Sequence, residues 1–349
     1  MRASVIDLFC GAGGLAYGFK KAKFRLACGI DLDPACRYPF EKNNQAPFLE
    51  KDVTEISGRW LKKQFHSNAD TRILIGCAPC QPFCPYNLME KDLRYGLVST
   101  FANLITTVRP EIVSMENVSR LASFRKKPVF RNFVKSLEEA GYHVWWGHVF
   151  CPDYGVPQAR RRLVLLASLL GEIELMPPTR SSASYATVRD AIGDLPHLKA
   201  GGVDPKDPLH RSRNLSVRNK QRIAASKPGG DWNNWPKRLI ASCHRRGSGK
   251  GYKSIYGRMV WNAPAPTITT QFFGYGNGRF GHPRQHRALS LREGALLQSF
   301  PRSYKFTPPG EPICFDRIGQ MIGNAVPVKL SWAIARSIRK HLRKEGRRV

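Results

Sequence analysis

Acidic side chains are scarce in this sequence. Its 349 residues include 26 Asp and Glu against 56 Lys and Arg, a formal net charge of +30. A field that positive favours a polyanion partner. Long hydrophobic runs are also missing: no stretch reaches the roughly 18 uncharged apolar residues that a membrane helix needs. The chain enters a strand-like segment, Ala3–Phe9, with no signal-peptide pattern before it. An intracellular, cytoplasmic location is therefore expected, with no membrane partner. The nine cysteines are odd in number and scattered, at 10, 28, 36, 77, 80, 84, 151, 243 and 314. That pattern argues against a disulfide framework. The trio Cys77, Cys80 and Cys84 suggests zinc, but no second Cys or His pair stands at ligand spacing, so no metal is expected. There is no internal repeat. A hydrophobic content of 42% with 10% aromatics is enough for a packed core.

The charge is uneven. Residues 1–176 carry 24 basic and 17 acidic side chains, hence +7, while 177–349 carry 32 and 9, hence +23. The texture changes at the same place. Up to Met176, strand and helix signals alternate. Strands are expected at Val5–Phe9, Arg25–Ile30, Arg72–Ile75, Glu111–Met115, His143–Val149 and Arg162–Ser168. Helices are expected at Leu15–Lys23, Phe101–Val108 and Val129–Ala140, the last closed by Gly141. That alternation predicts an α/β fold with a mostly parallel, doubly wound sheet. After Pro177-Pro178 the periodicity fades. Residues 208–258 hold 13 Lys or Arg and one acid, Asp231, interleaved with Trp232, Trp235, Tyr252 and Tyr256; Trp261 follows. A loop-rich second domain is expected over 177–310. Residues 311–349 form a terminal segment that ends in a helix near Val328–Lys344 and returns to the first domain, 1–176.

Four constellations carry chemistry. The first is 7-DLFCGAGGL-15 at the end of the first strand. Its glycines permit a tight turn and close approach of a ligand, and the next helix offers its N-terminus. Asp31 follows about 20 residues on, a spacing suited to ribose hydroxyls. Taken alone, such a turn is common structural punctuation. The second is 76-GCAPCQPFCPYN-87. Prolines on both sides stiffen the loop around Cys80; an inert buried cysteine is the bland alternative. The third is 115-MENV-118, which places Glu116 at a strand's C-terminal end, where it could donate a proton or simply sit at the surface. The fourth is 157-PQARRRL-163, in which strand geometry puts Arg160 and Arg162 on one face and Arg161 on the other. Two guanidiniums on a core face need an anionic partner; a surface edge strand is the alternative.

In this order and spacing, the four segments resemble the C5-cytosine DNA methyltransferases of the bacterial restriction-modification type. So do 264-PAPTITT-270, 278-GRFGHP-283, 290-SLREGALLQSFP-301 and 319-GQMIGNAVP-327. The resemblance implies a Rossmann-like, S-adenosylmethionine-dependent sheet with a smaller target-recognition domain. It also implies methylation at C5 of a flipped cytosine in duplex DNA. By position, Cys80 would be the nucleophile and Glu116 the group at cytosine N3, with Arg160 and Arg162 bracing the base and its partners. Phe9 would stack on the cofactor's adenine, and Gly11, Gly13 and Gly14 would pass near its methionine end. Asp31 would take the ribose, where many relatives use Glu, and Asp52 the adenine amino group. Leu32 and Pro79 would line the pocket, and Asn324 and Val326 would close it. Gln81, Asn117 and Gln158 would meet the substrate, and Gln271, beside the loop Gly274–Gly278, would approach the groove. The expected partner is double-stranded DNA, bound by a monomer; a cognate restriction endonuclease, if the host has one, would not touch it.

Cys84 departs from the pattern, because relatives usually carry Ser after Pro-Cys-Gln-x-Phe. A thiol bonds a base or phosphate less well than a hydroxyl. Three rivals are weaker. The tRNA-methylating branch carries a Cys-Phe-Thr signature that is absent here. A non-catalytic DNA-binding relative would have lost Cys80 or Glu116. A nicotinamide enzyme has no use for Cys80, Glu116 and the arginines together.

Overall fold

The computed structural model describes residues 3–79, 96–123, 128–246 and 255–347. They fall into two compact units. The first comprises Met1–Tyr154, Arg161–Thr179 and Ala325–Val349; the second comprises Gly155–Arg160 and Arg180–Asn324.

The first unit is built on a seven-stranded sheet. Its strands are β1 (Ala3–Leu8), β2 (Arg25–Asp31), β3 (Phe48–Glu50), β4 (Thr71–Gly76), β5 (Ile112–Val118), β6 (His143–Phe150) and β7 (Arg161–Ser168). The spatial order is β3-β2-β1-β4-β5-β7-β6. The pairings β2–β3, β1–β2, β1–β4 and β4–β5 are parallel, whereas β7 runs antiparallel between β5 and β6. The sheet is thus mostly parallel, with an antiparallel end. Every residue of β1 is buried, as expected of a strand covered on both faces. The chain leaves β1 toward β2 and β3 on one side, and β4 leads to β5 on the other. The order therefore reverses between β1 and β4, and ligands of open α/β sheets bind beyond the strand C-termini at such a point.

Helices α1 (Gly14–Lys21), α2 (Arg37–Asn44), α3 (Gly58–Lys62), α4 (Gly96–Val108) and α5 (Val129–Glu139) belong to this unit. In α5, Phe130, Phe133 and Leu137 recur at helical spacing and bury against the sheet core. Gly141, at φ 88°, ends that helix region in a left-handed turn.

The second unit holds α6 (Val188–Ile192), the hairpin β8 (Val203–Asp204) and β9 (Asp207–Arg211), α7 (Val217–Ala225), α8 (Ser242–Arg245), α9 (Leu291–Leu297) and α10 (Phe315–Asn324). The terminal helix α11 (Val328–Lys344) returns to the first unit and packs along α1. There a Cβ on Gly18 would lie 2.2 Å from Ser331 Oγ, so only glycine permits the approach.

One apolar cluster of the second unit joins Leu215, Ile223, Trp232, Trp235, Leu239, Tyr275 and Ala288, and Phe272, Phe273, Leu297 and Phe300 are buried there as well. Buried ionic side chains add to the packing. Arg258 is buried and donates to the carbonyls of His282, Ile223, Ser226 and Gln285. Arg287 and Glu293 form a bidentate pair with both bonds at 2.7 Å.

Candidate active site

The ends of β1, β2, β4 and β5 bring the expected chemistry to one edge of the first unit. After β1, Phe9 holds φ 56°, a left-handed conformation that is costly for a bulky side chain. Its ring is half-buried against Phe101, edge to face at 6.3 Å. Gly11 follows at φ 49° and donates its N–H to Asp31 Oδ2 at 2.8 Å. A Cβ on Gly11 would meet nothing within 4 Å, so the loop there faces open space. A Cβ on Gly13 would lie 2.1 Å from Asn44 Nδ2, so that glycine lets the loop settle onto α2.

Asp31 also accepts from the Asp33 N–H at 3.0 Å, through Oδ1. Burial pushes its carboxyl up, and the backbone N–H groups of Asp33 and Gly11 pull it back. Leu32 beside it is 63% exposed, an apolar side chain lacking cover. Asp52 uses Oδ1 to cap Thr54, at 2.8 Å to N and 2.7 Å to Oγ1. An open glycine turn, a carboxylate and an uncovered Leu fit an adenosyl group. Beneath the loop, Asp7 accepts the Ala16 N–H at 3.1 Å, and burial pushes its carboxyl well up.

On the other side of β1, the β4–β5 register pairs Gly76 with Met115, which sets Cys77 beside Glu116. Glu116 is 2% exposed. The Cys77 thiol donates to its Oε2 at 3.0 Å. Arg162 reaches it from β7, with Nε 2.9 Å from Oε1. That N–H is not aimed along the contact, so this is an ion pair rather than an aligned hydrogen bond. Asn117 donates to the Ala78 carbonyl at 3.0 Å and accepts the Val118 N–H at 2.9 Å. It therefore staples the segment that leads through Pro79 to Cys80. Cys80, Gln81 and Cys84 lie outside the described residues, so the zinc reading of that trio falls partly there too. Among the described residues no group of His, Cys, Asp and Glu could hold a metal.

Two expectations change. Arg160 and Arg162 do not share a strand face, because β7 begins at Arg161 and Arg160 belongs to the second unit. Buried Arg160 donates to the Ile268 carbonyl at 2.9 Å and reaches the Gly323 carbonyl at 3.4 Å. Gln158 is fully buried rather than facing a substrate. Its amide donates to Leu297 O and Gln298 Oε1, and its Oε1 accepts the Ile268 N–H at 2.9 Å. Gln158 thus ties together three parts of the second unit, and Arg160 spans the Ile268 and Gly323 carbonyls through its Nη atoms. Exposed Gln271 contacts Asp316 at 3.4 Å. Asn324 ends α10 in the second unit, whereas Val326 is buried in the first.

A family model for the C-5 cytosine-specific DNA methylases matches residues 3–340. The chain belongs to that family. It is 50% identical over 343 residues to Type II methylase M.HgiDII of Herpetosiphon aurantiacus, covering 98% of this chain and 96% of that one. It is 32% identical to Type II methyltransferase M1.HphI of Haemophilus parahaemolyticus, covering 97% and 87%. Among solved structures, a DNA modification methyltransferase encoded within an E. coli prophage superposes with a TM-score of 0.76 at 20% identity, covering 98% and 99%. The Entamoeba histolytica methyltransferase EhMeth superposes at 0.67 and 16% identity, covering 98% and 99%. These two likenesses bear on fold alone. The chain is thus a DNA (cytosine-5)-methyltransferase by family, on a Rossmann-like sheet. Among the described residues, no helix is long and apolar enough to cross a membrane.

Sequence reasoning missed Cys77 as a partner of Glu116; only the strand register reveals it. It also missed Asp7, although Asp7 opens the glycine motif.

Proposed function

We propose that this enzyme transfers a methyl group from S-adenosylmethionine to C5 of a cytosine flipped out of duplex DNA, through a covalent bond between Cys80 and C6. The observation that carries this reading is the placement of Glu116. It is a buried carboxyl at the end of β5, one strand away from the Cys77–Pro79 segment that runs into Cys80. The glycine turn of β1 lies next along the sheet.

S-adenosylmethionine, when bound, supplies an electrophilic methyl group. Phe9, Gly11, Gly13, Gly14, Asp31, Leu32, Asp52, Pro79 and Val326 would hold it. Cytosine C5 is too weak a nucleophile to take that methyl unaided. Cys suits the first step because a thiolate is strongly nucleophilic near neutral pH. As the Cys80 sulfur bonds to C6, the C5–C6 π pair shifts to form a C4–C5 double bond, and N3 gains the π pair of its double bond to C4. A protonated Glu116 gives N3 a proton, which leaves C5 as an enamine carbon. C5 takes the methyl group, whose bonding pair stays with the donor sulfur, and N3 returns its proton to Glu116. A base takes the C5 hydrogen as a proton, that C–H pair restores the C5–C6 double bond, and Cys80 leaves C6 as a thiolate. None of this can occur on a stacked base, and flipping costs a few kcal/mol, offset by contacts in the pocket.

We assign recognition of the target sequence to the second unit, where Lys and Arg would meet phosphates and a few side chains would read base edges. A restriction-modification role in a bacterial cytoplasm accords with the relatives' names.

Duplexes carrying 5-fluorocytosine test the chemistry, because the fluorine cannot leave as a proton would. The wild-type chain should form an adduct that survives a denaturing gel, and Cys80→Ser should not. An adduct formed by Cys80→Ser, or none by the wild type, would refute the assignment.

A further inference from the structure

We propose that Cys77 is a positioning residue for Glu116: its thiol, donating to Oε2, fixes the carboxyl's orientation and competes with a proton for that oxygen. This rests on the reading of Glu116 as the proton donor to N3.

Nothing in the methyl-transfer steps uses Cys77, yet its sulfur, itself half-buried, lies 3.0 Å from Oε2 of the buried Glu116. The arrangement follows from the sheet. β4 and β5 are parallel neighbours in register at Gly76 and Met115, so the next residue of each strand ends side by side. The carboxyl is thereby held at both oxygens, by the thiol on Oε2 and by Arg162 on Oε1. One orientation follows, with the thiol and the guanidinium on separate oxygens.

The thiol is suited to this because it keeps its hydrogen. Burial pushes its ionisation well up, and the neighbouring Glu116 carboxylate adds to that; Arg162 opposes it. Among the described residues, the other charged or titratable group felt here is Asp7 on β1, itself pushed well up by burial. Cys77 is therefore a donor only, and a donor to a carboxylate favours the ionised form. Taking the donor away favours the protonated form. Since protonated Glu116 is the active form, activity should then persist to higher pH.

The test is the pH profile of kcat on a duplex substrate for wild type, Cys77→Ala, Cys77→Val and Cys77→Ser, with Glu116→Gln alongside. S-adenosylmethionine binding by calorimetry checks that each variant is folded. Cys77→Ala and Cys77→Val, which lack a donor, should move the alkaline limb upward by about half to one pH unit, the size expected for one hydrogen bond from a thiol, a weak donor. Cys77→Ser, which keeps a donor, should leave the limb at or below its wild-type position. An alkaline limb that stays in place in both Cys77→Ala and Cys77→Val, or moves down, overturns the proposal. So does a Cys77→Ser profile that matches Cys77→Ala. A Glu116→Gln variant with near-wild-type turnover overturns the role of Glu116, and this proposal with it. A shift failure with an inactive Glu116→Gln overturns the role of Cys77 alone.

Discussion

Replacing Glu293 by glutamine removes one charge from the most deeply buried ion pair described in the second unit. The Arg287 and Glu293 side chains are 0% and 1% exposed. The carboxylate accepts 2.7 Å bonds from Nη1 and Nη2, and a third from the Ser290 N–H that closes the capping box of α9. Glutamine keeps the shape but offers one acceptor oxygen and leaves Arg287 without its counter-ion. Breaking a buried pair from one side costs about 3–5 kcal/mol. At roughly 2–4 °C per kcal/mol for a domain of this size, Tm should fall by about 10 °C. The effect must depend on pH. Burial alone would raise the carboxyl of Glu293, but Arg287 overcomes it and holds the group at about 2, against an ordinary value of 4.5. A depressed carboxylate contributes its stability above the unfolded value and loses it as pH falls through the native one. The contribution is therefore complete above about pH 4.5 and fades between there and about pH 2. Neighbouring His282, pushed down to about 4 chiefly by burial, is neutral at pH 7 and adds no charge there. Calorimetry at pH 7 and pH 3 should show a wide gap between wild type and variant that narrows in acid. A neutral-pH gap under about 1 kcal/mol, within the ordinary range for unremarkable substitutions, or a gap indifferent to pH, would refute the reasoning.

Gly323→Ala should destabilise by about 1–3 kcal/mol through overpacking, because its Cβ would lie 2.4 Å from the Thr270 backbone nitrogen; unchanged thermal unfolding would contradict the packing of α10. Affinity for duplex DNA should fall steeply with salt, log Kd changing by about 0.9 per decade of salt for each phosphate neutralised; a flat response would reject a phosphate-led interface for a chain of charge +30. Exchanging residues 180–290 with those of a relative of different specificity should transfer the preferred sequence, because loops carry recognition while strands position the chemistry. An active chimera that kept the parent's sites would move recognition elsewhere.

The parts of the site legible in the sequence lie close to strand ends. The glycine turn, Asp31 and Glu116 could be placed because a buried strand and the turn after it leave a local mark, and their order along the chain follows the order of the sheet. The antiparallel entry of β7 left no such mark, since pairing direction depends on where the chain returns. Arg160 shows the same limit at one residue. Alternation along a strand put it on a face with Arg162, but its partners are carbonyls more than a hundred residues away, at Ile268 and Gly323. Gln158 was misjudged for that reason too. The motif 264-PAPTITT-270 carries its meaning in the same contact: its backbone receives α10 through Gly319 and Gly323, a close approach that no periodicity encodes. The short β3, of three residues, is below what pattern can register.

Bisulfite sequencing of plasmid DNA from cells expressing the chain tests the central claim most directly, because it reports the modified base and its sequence context together. The account predicts cytosines protected from conversion at one short recurring sequence with the wild-type chain, and full conversion there with Cys80→Ser. Full conversion everywhere with the wild type, or the same protection with Cys80→Ser, would contradict it.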